Sequence, residues 1–244
     1  MIDILQVKDR ISLELNHSGM DSFAECMNKT HFNDYKKSIH YQYNSRGFRD
    51  AEWPADIENK IWCVGDSFTV GLGQPYEETW PQILEQRLGE RCINVSEDGC
   101  SNDLMSMRIE QIKKFNPKCI VVMWSYFWRR WIDNTNVHFD VNNRELPKDD
   151  LENFLKNLQS ANNDSQCKIL NYVIPDCMIE STTTWTRVLG IKSKKNINRL
   201  IAYHYPGNKF PVVSEIEQID YARDGHHFDV LTCERIVGDI LAKY

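Results

Sequence analysis

The chain has 244 residues, 41% of them apolar and 26% charged, and its 29 Lys and Arg against 35 Asp and Glu leave a formal net charge of −6. That composition is ordinary for a globular protein long enough to bury a sizeable core. The acidic balance argues against a broad nucleic-acid or anionic-membrane surface, and eight cysteines at this length are too few for a disulfide scaffold.

Residues 1–60 are polar and irregular, with scattered aromatics (Phe32, Tyr35, Tyr41, Tyr43, Phe48) and only weak helical spacing over 3–15. Strands then alternate with helices. Ile61-Trp62-Cys63-Val64, ended by Gly65, reads as a buried strand, and 79–88 as a helix with Thr79 as N-cap, Pro81 in the first turn and Gly89 after the end. Residues 92–95 form a second strand. Apolar positions 104, 105, 107, 109 and 112 define a helix that Asn116-Pro117 terminates. Cys119–Trp124 is a third strand, apolar without alternation, as in a sheet covered on both faces. A helical face at 148–160, a strand at 168–174 and a closing helix at 228–241 follow; 175–220 is poorly patterned, with one further strand expected near 210–213. The alternation predicts a three-layer α/β/α domain over 61–244 with a mostly parallel sheet, and 1–60 as an N-terminal strap packed on it. In such a sheet, ligands bind at the carboxyl ends of the strands.

The N-terminal octapeptide lacks the basic leader, long apolar run and cleavage site of a signal peptide, and no stretch approaches the roughly 18 apolar residues of a membrane helix. No Cys-x-x-Cys pair occurs, and Cys63, Cys92, Cys119 and Cys167 lie in or beside apolar segments. The expectation is reduced, buried thiols and a cytoplasmic location. His17, His31, His40, His138 and His204 lack partners at metal-ligand spacing. Gly71-Leu72-Gly73 is not followed by the Lys-Ser/Thr of a phosphate loop.

Two short stretches carry chemistry. Gly65-Asp66-Ser67 ends the first strand, so Ser67 is either part of a structural turn or exposed at the sheet's carboxyl edge as a nucleophile. Arg223-Asp224-Gly225-His226-His227 precedes the last helix. One tight turn places the Asp224 carboxylate on one ring nitrogen of His227 and frees the other nitrogen to take a serine proton; alternatively, Asp224 caps the helix and the histidines are surface. His226 is expected at the surface or the substrate rim rather than in catalysis. In Trp128-Arg129-Arg130-Trp131, aromatics interleave with cations, a pattern that suits either plain packing or a sugar-stacking and acid-binding surface.

Together these motifs resemble the SGNH, or GDSL-like, hydrolase family over residues 61–244. Gly65-Asp66-Ser67-Phe68-Thr69 is similar to its first block, Asn94 to Ser101 with Gly99 to its second, and Asp224-Gly225-His226-His227 to its last. Tyr43-Asn44-Ser45-Arg46-Gly47-Phe48-Arg49-Asp50 also looks like a stretch found before the first strand in some such proteins, with Asn44 and Arg49 holding loops near the site. The resemblance implies a flavodoxin-like α/β/α fold and ester hydrolysis without metal or organic cofactor. Ser67 would be nucleophile, His227 base, Asp224 its orienting partner, and the Ser67 and Gly99 amides the oxyanion donors. The third block departs: the family's Gly-x-Asn-Asp is absent after the third strand, and Ser101-Asn102-Asp103 comes one element too early. Losing one oxyanion donor costs a factor of about 10² to 10³. Ser125, Tyr126, Asn102 or an arginine are substitutes, and Asp66, Ser125, Arg129 and Arg130 are expected substrate contacts. The expected partner is a small-molecule or glycan ester, with an O-acyl or O-acetyl carbohydrate as the leading member of the class, and no nucleic acid and no membrane. The alternatives are acyl transfer by the same three residues, or a non-catalytic carbohydrate-binding module on the same fold.

Overall fold

Short apolar runs that cannot alternate must be buried on both faces. They form one five-stranded sheet in a computed structural model that describes residues 3–22, 30–138, 147–163, 166–175 and 197–244. Two two-residue strands, β1 (Glu14–Leu15) and β2 (Tyr41–Gln42), pair antiparallel outside it. The sheet comprises β3 (Ile61–Val64), β4 (Cys92–Asn94), β5 (Cys119–Trp124), β8 (Lys168–Val173) and β9 (Val213–Glu215). It runs in the order β4-β3-β5-β8-β9, with every pair parallel. Every residue of β3, β4 and β5 is buried. β6 (Arg129–Ile132) and β7 (Thr135–His138) form a separate hairpin.

The helices are α1 (Thr30–Asp34), α2 (Ser67–Val70), α3 (Trp80–Leu88), α4 (Asn102–Ile112), α5 (Pro147–Asn162), α6 (Ile197–His204) and α7 (Val230–Lys243). α4 packs on α5, and α3 packs on α7. Right-handed crossovers place these two pairs on opposite faces, because the chain steps outward from β3 to β4 and then back past β3 to β5. Counting only sheet strands, the order is 2-1-3-4-5, the flavodoxin-like doubly wound arrangement. The reversal leaves a crevice beyond the carboxyl ends of β3 and β5, which positions the site.

Local chemistry sets the boundaries. The Ser101 hydroxyl accepts from Leu104 N–H to start α4. Gly89, at φ 64°, ends α3. The closing helix begins at Val230, with Asp229 before it.

Three expectations change. The weak helical spacing over 3–15 yields only a 3₁₀ turn at Lys8–Arg10 and then β1, with Ser12 at φ 51° between them. The strand expected near 210–213 starts only at Val213, since Pro211 has no N–H for the ladder. The Trp-Arg-Arg-Trp stretch opens the β6–β7 hairpin, which turns through Asp133 and Asn134 at φ 50° and 62°. Asp and Asn are the side chains that tolerate this left-handed conformation.

Two buried arginines tie described residues of the first 60 to the sheet domain. Arg108 of α4 donates to the carbonyls of Ile4 and Val95 and to Glu97. Arg49 donates to the carbonyls of His40, Val70, Gly71 and Gln74. Asn44 closes its own turn, accepting from Arg46 and Phe48 N–H and donating to Ala51. Ile39, Tyr41 and Tyr43 share a small apolar cluster with Val70, the last residue of α2, and Leu72 just beyond it.

Candidate active site

The turn after β3 requires Gly65. A Cβ there would lie 2.0 Å from Thr69 Oγ1 and 3.3 Å from Met123 O. The chain enters α2 with Asp66 as N-cap, its Oδ1 accepting from Phe68 N–H at 3.1 Å. Gly71, at φ 75°, ends the turn. Ser67 is thereby fixed at the first helical position, above the carboxyl end of β3.

A second turn meets it. Asp224 Oδ1 accepts the backbone N–H groups of His226 and His227, which closes an Asx turn and presents its other oxygen to the His227 ring. His227 Nδ1 lies 2.5 Å from Asp224 Oδ2, and His227 Nε2 lies 2.8 Å from Ser67 Oγ. With Asp224 ionised, the proton sits on Nδ1 and Nε2 accepts from the Ser67 hydroxyl. Asp224 does not cap α7. The Phe68 ring packs against His227 at 4.6 Å and Phe228 at 4.8 Å, so the imidazole is wedged as well as hydrogen-bonded.

Ser67, His227 and Asp224 are 3%, 2% and 0% exposed, so their interactions operate largely out of water, where they are strongest. Burial pushes the Asp224 carboxyl up, but the hydrogen bond and charge of His227 and the two backbone donors outweigh it and hold the group at about 2. Among the described residues, neither Ser67 N–H nor Gly99 N–H has a hydrogen-bond partner within the protein. Gly99 is at φ 74°, in the loop between β4 and α4.

The β5 loop differs. Asn102 Oδ1 accepts from Ser125 N–H at 2.8 Å, while Asn102 Nδ2 donates to the carbonyls of Ser125 and Tyr126. Ser125 Oγ donates to Asp66 Oδ2 at 2.6 Å, and Arg129 Nη1 donates to the same carboxylate oxygen at 2.9 Å and to Ser125 Oγ at 2.8 Å. Asp66, Ser125 and Arg129, expected as substrate contacts, thus bond to one another. Asp66 is fully buried, and a buried carboxylate must be paired. Arg130 turns away to Asp150 and to the carbonyls of Phe127 and Arg129.

Tyr126 stacks on Trp128 at 4.5 Å, and its hydroxyl lies 3.3 Å from His226 Nε2. This places His226 between the aromatic pair and His227, whose ring is 4.9 Å away.

Cysteine chemistry has no place here. Cys63 and Cys100 are fully buried, and burial pushes the Cys100 thiol up to about 12 and that of Cys63 well above its ordinary value. Cys26 and Cys177 lie outside the described residues. Among the described residues, no group of three His, Cys, Asp or Glu is placed to hold a metal ion, and no helix is long and apolar enough to cross a membrane.

What the sequence reading missed is the destination of the arginines. Arg129 meets a carboxylate 63 positions earlier and Arg223 one 202 positions earlier, and no local pattern encodes such pairs. The hairpin did leave a signal, Asp133-Asn134 between two strand-like runs.

No family model matches the sequence, and no curated protein sequence matches it. Solved structures do. A member of the lipolytic G-D-S-L family from Veillonella parvula is 17% identical, with 76% of this chain and 97% of that chain covered and a TM-score of 0.45. A family two carbohydrate esterase from Clostridium thermocellum, solved with cellohexaose, is 16% identical over 79% of this chain and 66% of that one, with a TM-score of 0.46. A GDSL-like lipase from Bacteroides thetaiotaomicron is 13% identical over 79% and 90%, with a TM-score of 0.43. The chain is similar in fold to these proteins: it is a flavodoxin-like α/β/α protein with Ser67, His227 and Asp224 in one hydrogen-bonded line at the carboxyl edge of its sheet.

Proposed function

We propose that the protein is a serine esterase of the SGNH type, with its chemistry in residues 61–244 and residues 1–60 as a strap. The observation that carries this reading is the continuous line Ser67 Oγ–His227–Asp224, with contacts of 2.8 and 2.5 Å in a buried setting. Such a line activates a hydroxyl, whereas a turn needed only for structure has no use for it.

Ser67 Oγ attacks the ester carbonyl carbon as its proton passes to His227 Nε2. The oxyanion forms toward the N–H groups of Ser67 and Gly99. As the tetrahedral species collapses, the bond to the alcohol breaks and His227 returns the proton to the leaving oxygen. Water then attacks the acyl-enzyme, giving its proton to Nε2. Release of the acid restores Ser67 as that proton returns to its oxygen. Asp224 fixes the tautomer and stabilises the imidazolium at both stages.

The substrate class is an ester, with an O-acyl or O-acetyl carbohydrate the leading member. The Tyr126–Trp128 pair beside His226 supports it, since a stacked aromatic face suits a sugar ring. Arg129 and Arg130 are engaged within the protein and form no part of the substrate proposal.

The test is fluorophosphonate labelling and turnover of aryl acetates by wild type and Ser67→Ala, followed by a screen of acetylated glycans. Labelling and turnover in wild type, with kcat lowered on the order of 10⁶-fold in the variant, are expected. Equal, negligible labelling of both proteins sinks the esterase reading and leaves the binding module.

A further inference from the structure

The loop that follows Ser67 and the turn that carries Asp224 and His227 are stitched together at Gly73, whose carbonyl accepts from Arg223 N–H at 2.8 Å. Only glycine fits there: φ is 78°, and a Cβ would lie 2.9 Å from Ala222 Cβ and 3.1 Å from Arg223 N. The Gly73 N–H donates in turn to the Tyr41 hydroxyl at 2.8 Å. Tyr41 donates to Asp21 Oδ2 at 2.5 Å. Asp21 also receives the fork of the Arg223 guanidinium, Nε at 2.8 Å and Nη2 at 2.6 Å. The ring of bonds thus closes from Gly73 through Tyr41, Asp21 and Arg223 back to Gly73.

Asp21 and Tyr41 are fully buried, yet both belong to the first 60 residues, outside the stretch that holds Ser67, Asp224 and His227. Arg49 lies over the Tyr41 ring at 4.3 Å while gripping the carbonyls of Val70, Gly71 and Gln74, so the Tyr41 hydroxyl has one place to be. Arg223 directly precedes Asp224. Its backbone is held by Gly73 and its side chain by Asp21, so this residue is anchored at both ends one position before the Asp224 whose carboxylate meets His227.

We propose that Asp21 is a positioning residue: by clamping Arg223 and Tyr41 it sets the separation between the Asp224–His227 turn and Ser67. The inference rests on the esterase reading of that site. An N-terminal segment that served only as packing would need apolar contacts alone, not a buried carboxylate with a bidentate partner aimed at the turn holding the base.

The test compares wild type with Asp21→Asn, Arg223→Lys and Tyr41→Phe. Each variant keeps the shape or the charge but removes a bond of the ring, and Lys lacks the guanidinium fork. Melting temperature, kcat and KM on an aryl acetate, the rate of fluorophosphonate labelling, and the NMR ring-nitrogen shifts of His227, which read its tautomer, are measured together. The expected result is a fall of about 10- to 100-fold in kcat and labelling rate, the scale of a small misplacement of reacting groups. KM should stay within about twofold, and the His227 shifts should change. If Asp21→Asn fails to fold, Tyr41→Phe, which retains the ring under Arg49, gives the answer. Folded variants with wild-type kcat, labelling and shifts overturn the proposal and leave the esterase reading standing. If wild type neither labels nor turns over, the esterase reading falls, and unchanged His227 shifts in the variants then overturn the positioning role as well.

Discussion

The loop after β3 and the loop after β5 leave neighbouring parallel strands at the same edge of the sheet, yet they deploy their polar groups in opposite ways. The first turns sharply at Gly65, leaves the Ser67 N–H without a partner among the described residues and aims a hydroxyl at His227. The second closes on itself: Ser125 and Arg129 hold Asp66, Asn102 holds the Ser125 backbone, and Arg130 holds Asp150. Asp66 joins the two, capping α2 with one oxygen and taking Ser125 and Arg129 on the other. One loop leaves its polar groups turned toward His227, and its neighbour uses its own to hold that loop still.

The comparison breaks most sharply at Asp224. Replacing it with Asn keeps the shape but offers an amide where a carboxylate fixed the His227 tautomer, and a loss of about 10⁴-fold in kcat is expected. A variant within tenfold of wild type would dismiss the proposed role of Asp224. The same substitution tests stability. The Asp224 carboxyl lies at about 2 in the folded protein against 3.8 ordinarily, so its ionisation stabilises the fold. That contribution, about 2 kcal/mol, is complete above roughly pH 4 and is lost as pH falls toward 2. Denaturation of wild type and Asp224→Asn should therefore differ at neutral pH and converge in acid.

Arg129→Met should cost about 3–5 kcal/mol in urea denaturation, because it strands the fully buried Asp66 charge beside Ser67. Turnover by the folded fraction should fall too, since Asp66 caps the turn that presents Ser67, the proposed nucleophile. Adding Asp66→Asn to Arg129→Met should recover part of the stability, and no recovery would mean that the pair is not the cause. Arg130→Met is the smallest change. Its partner Asp150 keeps 10% of its side chain exposed and sits in the first turn of α5, where the helix N-terminus still favours its charge, so a smaller loss of about 1–3 kcal/mol with unaltered kcat is expected. Equal effects at Arg129 and Arg130 would erase the distinction between a pair that supports the Ser67 turn and one that braces a hairpin.

The legible parts of this protein were those governed by local pattern. β5 falls on the apolar run 119–124, and α3 on the capped stretch that ends at Gly89. The Gly-Asp-Ser and Asp-x-x-His motifs were visible because each is a turn, and turn geometry is written in neighbouring residues. α6, by contrast, lies in the stretch 175–220, which showed no usable pattern. The expected strand at 210–213 slid to Val213–Glu215 because ladder pairing with Asn171–Val173, rather than apolar content, decides where a strand begins.

Chain order alone therefore determined an α/β alternation, a serine at one strand end and an acid–histidine turn before the last helix. Only the tertiary structure decided that the two turns meet, that Arg129 serves Asp66 rather than a ligand, and that Asp21 reaches Arg223 across 202 positions. The physical reason is the same in each case. A charge removed from water must find its partner in three dimensions, and nothing in the sequence beside it records where that partner will be.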